Sequence, residues 1–266
     1  MTKPNISQSL IKAYLDYSAP DSKECGVAFR KRYFEKIKPE PTDVQKLGIY
    51  FEYMATGYHH LSEPTPQPEY VYKNTAKERL SAEYERANLS AQFYKAILKK
   101  HNIEVISNGQ YFIHDEVSMI TDVIANWNGE KCIIDLKYTS LFDDRFNEYG
   151  WNTDTLSERH KLTLQPIHYK YLFRKIEGIE DIPFYFFIFS AKDPEKVKII
   201  KVNVQEVQLH FHEHETIKKT KNNINHYYNN PQNLLPRPSY LKCIECPFAD
   251  DCEYRAIVPL IEEIHI

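Results

Sequence analysis

Residues 5 to 17 (Asn-Ile-Ser-Gln-Ser-Leu-Ile-Lys-Ala-Tyr-Leu-Asp-Tyr) carry apolar groups at helical spacing behind Ser7, and either Ser7 or Ser9 suits the N-cap of that helix. Ser18 to Glu24 is a polar break containing Pro20, and a basic-aromatic stretch follows: Phe29, Arg30, Lys31, Arg32, Tyr33 and Phe34. Pro39 and Pro41 close it. A helix is predicted from Thr42 to Leu61, with Thr42 and Asp43 as caps and Pro64, Pro66 and Pro68 beyond its end. A long charged helix is predicted from Thr75 to Lys100.

From Ile103 to Tyr138 the period shortens to two and β-branched residues take over. Three or four strands are predicted there, including Glu116–Asn126 and Lys131–Tyr138, joined at Trp127-Asn128-Gly129-Glu130. A helix follows over Ser157–Lys175. Pro183–Ser190 is a continuous apolar run and reads as a buried strand, with a shorter strand, Val197–Val204, beside it. A polar helix from Val204 to Tyr228 leads through a Pro/Asn-rich link to a cysteine cluster. The order helix, strands, helix, strand predicts an α/β fold with a mixed sheet.

Composition narrows the functions. The chain has 266 residues, 34 Lys+Arg against 37 Asp+Glu, and a net charge of −3, which excludes a strongly basic nucleic-acid coat. Whole-chain charge averages local acidic and basic regions, however, so a DNA enzyme is compatible with it. No apolar run reaches the length of a membrane span, and the first ten residues lack the apolar core of a secretion signal, so a cytoplasmic protein is expected. None of the seven glycines lies in a Gly-x-x-x-x-Gly-Lys-Ser/Thr or Gly-x-Gly-x-x-Gly frame, which excludes those two nucleotide-binding loops. In a reduced compartment Cys243, Cys246 and Cys252 point to metal rather than to disulfides.

The candidate chemistry lies in Ile120-Thr121-Asp122-Val123-Ile124 and Ile133-Ile134-Asp135-Leu136-Lys137-Tyr138. Two antiparallel neighbours each bring a carboxylate into an apolar setting, and strand alternation puts Asp135 and Lys137 on one face. Such charges cost free energy unless paired or engaged by a metal. Metal-assisted phosphodiester hydrolysis uses this set: carboxylates hold Mg²⁺ or Mn²⁺, the metal activates water, and a lysine orients it. Taken alone, Asp-x-Lys is better explained by a buried salt bridge.

The pattern Asp122 with Asp135-x-Lys137 resembles the core of the PD-(D/E)XK nucleases, in their RecB-like branch. Gly48-Ile-Tyr-Phe-Glu52 resembles that branch's Gly-x-x-x-(His/Glu) motif, and Gln165-Pro-Ile-His-Tyr169 its Gln-x-x-x-Tyr motif. Cys243-x-x-Cys246-Pro-x-x-x-x-Cys252, with Cys25 upstream of Gly48, resembles the cysteine set of the iron–sulfur members, which include CRISPR-associated nucleases. The opening Ser7-Gln-Ser9 is similar too.

The resemblance implies a restriction-endonuclease-like α/β fold, one nuclease domain over 1–266, and a metal-dependent DNA exonuclease acting on single-stranded DNA or DNA ends. It implies that Glu52, Asp122, Asp135 and the carbonyl of Leu136 hold Mg²⁺ or Mn²⁺, and that Lys137 positions water. It implies that Gln165 and Tyr169 border the site and contact DNA. Cys25, Cys243, Cys246 and Cys252 would hold a [4Fe–4S] cluster joining segments 1–40 and 241–256. A helicase or a CRISPR integrase is a conceivable partner, and no motif here specifies either.

The chain departs from the branch in having Glu52 where His is usual, and Pro166 directly after Gln165, where a helix should start or bend. His59, seven residues after Glu52, is an alternative ligand on the predicted helix. Three cysteines and a fourth ligand also suit zinc. A non-catalytic DNA-binding or assembly subunit with a structural zinc would share this fold. Cys132 reads as a small buried hydrophobe. Of His210, His212 and His214, only the first and third share a helical face. The stretch Phe29–Phe34 serves either DNA or the core. Tyr111, Tyr138, Tyr169 and Tyr171 offer rings to unpaired bases, although most of the twenty tyrosines must pack.

Overall fold

A capping box starts the helix that carries Glu52. The Gln45 N–H donates to Thr42 Oγ1, and the Thr42 N–H donates to Gln45 Oε1. The structure is a computed structural model and describes residues 3–19, 24–60, 63–72, 78–142, 146–147, 150–151, 156–238 and 240–255. The chain divides into two compact units, Met1–Glu40 with His210–Ile266, and Pro41–Leu209.

In chain order, the smaller unit opens with β1 (Ile6–Ser7), α1 (Gln8–Ser18) and α2 (Gly26–Tyr33). The larger unit has α3 (Asp43–Thr56), the hairpin β2 (Tyr70–Tyr72) and β3 (Glu78–Leu80), and α4 (Ala82–Lys100). Then come β4 (Glu104–His114), β5 (Val117–Trp127), β6 (Glu130–Thr139), and the short pair β7 (Phe146–Asn147) and β8 (Gly150–Trp151). The helix α5 (Leu156–Glu177) leads to β9 (Phe184–Ser190) and β10 (Val197–Val202). A helix, α6 (Glu206–Phe211), continues as a π-helical turn (His212–Ile217) into α7 (Lys218–Asn229), and α8 (Tyr240–Glu245) comes last.

Two predicted boundaries move. The helix expected to reach Leu61 stops at Thr56, because Gly57 takes φ +70° and caps it in the left-handed region. His59 therefore lies beyond the helix, edge-on to the Tyr53 ring at 6.1 Å. The helix expected from Thr75 begins at Ala82, since Glu78–Leu80 pairs instead with Tyr70–Tyr72. Residues 75–77 of that expectation lie outside the described residues.

In the larger unit the strands run β4-β5-β6-β9-β10, with β6 parallel to β9 and the remaining pairs antiparallel. The sheet is thus mixed, as the sequence predicts. Asn128 and Gly129 take φ +56° and +84° in the two-residue turn between β5 and β6, the geometry that a tight hairpin needs. The parallel step is made through α5. That helix contains Pro166 and starts ten residues before it, so it does not begin at the proline, in keeping with the helix predicted over Ser157–Lys175. A proline costs the helix one internal hydrogen bond, and packing of the buried His168, Tyr169, Leu172 and Phe173 on the sheet offsets it.

One face of the sheet is covered by α3 and α4. Tyr50, Phe51, Tyr84, Ala87, Ala91 and Tyr94 pack there on Val123, Cys132, Ile134, Leu136, Phe187 and Phe189. Cys132 is one of these buried apolar positions, 1% exposed.

In the smaller unit, Ser7 caps α1 by accepting from the Leu10 N–H. Phe29 and Phe34 of the basic-aromatic stretch are buried, while Arg30 pairs with Glu35 at 3.0 Å and Tyr33 donates to the Ser9 carbonyl. That stretch serves the core of its unit. No described helix is long and apolar enough to cross a membrane.

Candidate active site

From the Asn128–Gly129 turn, β5 and β6 stay paired as far as Val123 and Ile134. One residue further on each strand stands a carboxylate, Asp122 and Asp135. The Asp122 side chain takes over where backbone pairing stops, its Oδ2 accepting from the Leu136 N–H at 2.8 Å. Asp135 is 1% exposed. Its Oδ1 accepts from the Gln165 amide of α5, and its Oδ2 lies 2.5 Å from Lys137 Nζ. The parallel register sets Phe186 beside Asp135, and the Lys137 ammonium stands over the Phe186 ring at 5.7 Å.

Glu52 enters from α3. It is near enough that Asp135 raises its pKa and Lys137 lowers it, although burial is the largest cause of its net rise. Asp122 is raised well above the usual carboxylate value, first by burial and then by Asp135 and Glu52. Burial also raises Asp135, against the pull of Lys137 and the Gln165 hydrogen bond. For Lys137 the balance inverts: burial pulls its pKa down, and the attraction of Asp135, Asp122 and Glu52 wins and lifts it. Three carboxylates thus face one ammonium. The excess negative charge sits where water is largely excluded.

That excess is the property a hard divalent cation needs, and the donors are all oxygen. Among the described residues no three His, Cys, Asp or Glu side chains already stand arranged around a metal position. At this site Lys137 is the counter-ion, beside the Asp135 oxygen that does not accept from Gln165. The residue types and their convergence fit a divalent metal.

The motif on α5 divides its work. Gln165 orients Asp135. Tyr169 is buried, and its hydroxyl donates to the Ile120 carbonyl at 2.6 Å, two residues before Asp122. Burial drives its pKa up. Tyr169 therefore holds β5 in place and presents no open surface. Tyr171 is also buried, and Tyr138 stacks on Phe51 at 4.8 Å, whereas Tyr111 is 51% exposed.

Tyr58 and Gly109 belong to this neighbourhood, and no motif of the sequence points to them. Asn108 pairs with Val123 and Gln110 with Thr121, so Gly109 lies across from Asp122. Gly109 has φ +59°, and a Cβ there would come within 2.1 Å of the Tyr58 ring. The one available signal was a glycine inside a strand pattern, which marks a bulge or a close approach.

In the smaller unit, Arg237 N–H donates to Cys25 Sγ at 3.4 Å, and the Gly26 N–H to the Leu235 carbonyl at 3.0 Å. A Cβ on Gly26 would strike the Leu234 and Leu235 backbone at 2.5 Å, so only glycine permits this approach. The approach brings Cys25 to the segment that leads to the other cysteines. Burial is the largest cause raising the Cys246 thiol, and the nearby Cys25, Cys252 and Cys243 add to it. The four thiols are near enough to influence one another, although among the described residues no three of them stand arranged around a metal position, and their residue type is the one a thiolate-held metal group uses. The His210 and His214 rings pack tilted at 4.3 Å, and His212 is buried, 2% exposed.

No family model matches the sequence, and no curated protein matches it. Among solved structures, "Putative exonuclease" from Eubacterium rectale matches at a TM-score of 0.56 and 15% identity, covering 86% of this chain and 82% of that one. An fdxN element excision controlling factor from Anabaena variabilis aligns over 44% of this chain at 15% identity, covering 99% of its own length, but its TM-score of 0.29 is too low to carry an argument. With its mixed sheet, its flanking helices and its paired carboxylates where β5 and β6 part, the chain has a fold similar to that of the exonuclease structure.

Proposed function

We propose that this protein is a Mg²⁺- or Mn²⁺-dependent deoxyribonuclease that hydrolyses phosphodiester bonds as an exonuclease, at DNA ends or in single-stranded DNA. The observation that carries this reading is the convergence of Asp122, Asp135 and Glu52 on Lys137, at the point where two strands separate.

In this reading Asp122, Asp135 and Glu52 hold the metal together with the Leu136 carbonyl. A residue's N–H and C=O leave a strand on the same side, and the Leu136 N–H already faces Asp122. The bound metal supplies Lewis-acid polarisation of the phosphate and a bound water of lowered pKa. Lys137, beside Asp135, would hold the attacking water and offset phosphate charge. Gln165 keeps the Asp135 carboxylate from turning, and Tyr169 keeps Asp122's strand from shifting.

The four cysteines Cys25, Cys243, Cys246 and Cys252 hold a [4Fe–4S] cluster in this proposal. The support is that Cys25 lies in one unit with the C-terminal cysteines, hydrogen-bonded to the Arg237 N–H of the segment leading to them and near enough to influence Cys246.

The test incubates purified protein with end-labelled single- and double-stranded DNA, with and without Mn²⁺. The expected result is Mn²⁺-dependent shortening of the labelled strand, abolished by Asp135→Ala and by Lys137→Ala. Unchanged cleavage in either variant overturns the assignment. DNA binding without cleavage at any divalent metal points instead to a non-catalytic DNA-binding subunit.

A further inference from the structure

A short chain of hydrogen bonds holds the backbone of Tyr58. The Tyr58 N–H donates to Thr56 Oγ1 at 3.0 Å, and that hydroxyl in turn donates to the Glu52 carbonyl at 2.8 Å. The carbonyl of Thr56 accepts from Asn108 Nδ2 at 2.9 Å. The end of the helix that carries Glu52 is thereby tied to the strand opposite Asp122. The tie ends in the Tyr58 ring, which lies against Gly109, the residue across from Asp122.

Two independent features make Gly109 a glycine. Its φ of +59° is costly for other residues, and its missing side chain is the space that the Tyr58 ring fills. In a chain with only seven glycines, one lets an aromatic ring lie against the strand position across from Asp122. The ring is half-buried, so part of it stays open to solvent. Two residues along the same side of β5, Ile120 is 42% exposed, and Tyr111 directly opposite it is 51% exposed. An apolar strip therefore adjoins the acidic centre. Phosphates gain nothing from such a strip, whereas the faces of unpaired bases do.

We infer that Tyr58 is a stacking platform for an unpaired base of the substrate strand, set beside the cleavage site by Gly109, with the Tyr111–Ile120 pair extending it. The inference rests on the nuclease reading and adds to it a preference for single-stranded or frayed ends. A base seated on Tyr58 fixes the phosphate next to it relative to Glu52 and Asp122. A fully paired end must first unstack to reach the same position.

The test uses the full-length protein and a single-stranded oligonucleotide carrying 2-aminopurine near its end. Loss of one stacked base by alanine substitution weakens binding by about 5- to 160-fold, so Tyr58→Ala should raise KM by that factor and change kcat far less. Tyr58→Phe should restore KM. Tyr58→Leu, which keeps apolar cover over Gly109 but has no π-face, should not. Gly109→Ala displaces the ring and should mimic Tyr58→Ala. Thermal melts of each variant separate loss of stacking from loss of fold.

Quenching of 2-aminopurine is read in an Asp135→Asn background, where no cleavage occurs, and should disappear on Tyr58→Ala. Unchanged KM and quenching in Tyr58→Ala, or wild-type behaviour of Tyr58→Leu, overturns the inference while leaving the nuclease reading intact. Quenching that depends on Tyr58 in a protein that never cleaves DNA sinks the nuclease reading and keeps the platform.

Discussion

Lys137 Nζ stands 2.5 Å from Asp135 Oδ2, on the same face of one strand and with a single residue between them. The ammonium is the internal counter-ion of an over-acidic site. Removing one partner of a fully buried ion pair costs about 3–5 kcal/mol. Lys137 is 36% exposed, and solvent screening brings the expected loss for Lys137→Met to about 2 kcal/mol. The loss should shrink when Mn²⁺ is added, as followed by urea denaturation with and without the metal. Equal destabilisation in both conditions contradicts a shared cation position.

Asp122→Asn should abolish cleavage and yet stabilise the metal-free protein. The Asp122 pKa is raised in the folded state, above its ordinary 3.8. The folded chain thus binds a proton that the unfolded chain has already released, and the penalty grows as pH rises through the window above 3.8. Asparagine keeps an oxygen for the Leu136 N–H and carries no charge. The melting temperature of the variant should exceed that of the wild type at pH 8, with the gap closing towards pH 4.

His168 predicts the opposite pH trend. It is completely buried with its Nε2 3.0 Å from the Ser118 carbonyl, and burial lowers its pKa from 6.5 to about 4. The unfolded state therefore takes up a proton first as pH falls below 6.5. Stability that is complete above pH 6.5 drains away down to about pH 4, by about 3 kcal/mol at 1.4 kcal/mol per unit. His168→Gln can still donate to Ser118 and does not titrate, so this acid-limb loss should be missing from its stability–pH curve.

Tyr94 is 1% exposed, and its hydroxyl has no hydrogen-bond partner among the described residues. A buried unsatisfied hydroxyl costs free energy that phenylalanine avoids. Tyr94→Phe should raise stability by about 1 kcal/mol in a denaturant titration. A destabilised variant would reveal a partner for that oxygen.

The cysteine set separates two metals by colour. Protein prepared without oxygen should be brown, with broad visible absorption, and Cys25→Ser should lose it as Cys246→Ser does. A colourless protein carrying stoichiometric zinc refutes the iron–sulfur assignment.

How much of this was legible in the sequence depends on the range of the interaction. The turn at Asn128–Gly129, the burial of Phe184–Ser190 and the Ser7 cap come from local chemistry and were read correctly from it. Helix ends were less legible. Nothing in the residues before Gly57 announces that its φ will be positive, and Glu78–Leu80 reads as helix until Tyr70–Tyr72 comes back to pair with it. At Pro166 the local rule allowed a helix start or a bend, and the helix predicted over Ser157–Lys175 does run on both sides of it, with Tyr169, Leu172 and Phe173 buried beyond the proline.

The sequence by itself determined the chemistry available: two carboxylates on neighbouring strands, a lysine forced onto the face of Asp135 by strand alternation, and four cysteines at the two ends of the chain. Only the tertiary structure decided what those groups do to one another. The parting of β5 and β6 turned Asp122 towards the Leu136 N–H, α5 brought Gln165 to Asp135, and α3 delivered Glu52 to the same charge. The seating of Tyr58 on Gly109 joins residues fifty positions apart. Contacts at that separation leave no periodic trace in a sequence, because they are set by how elements pack and not by the step of any one of them.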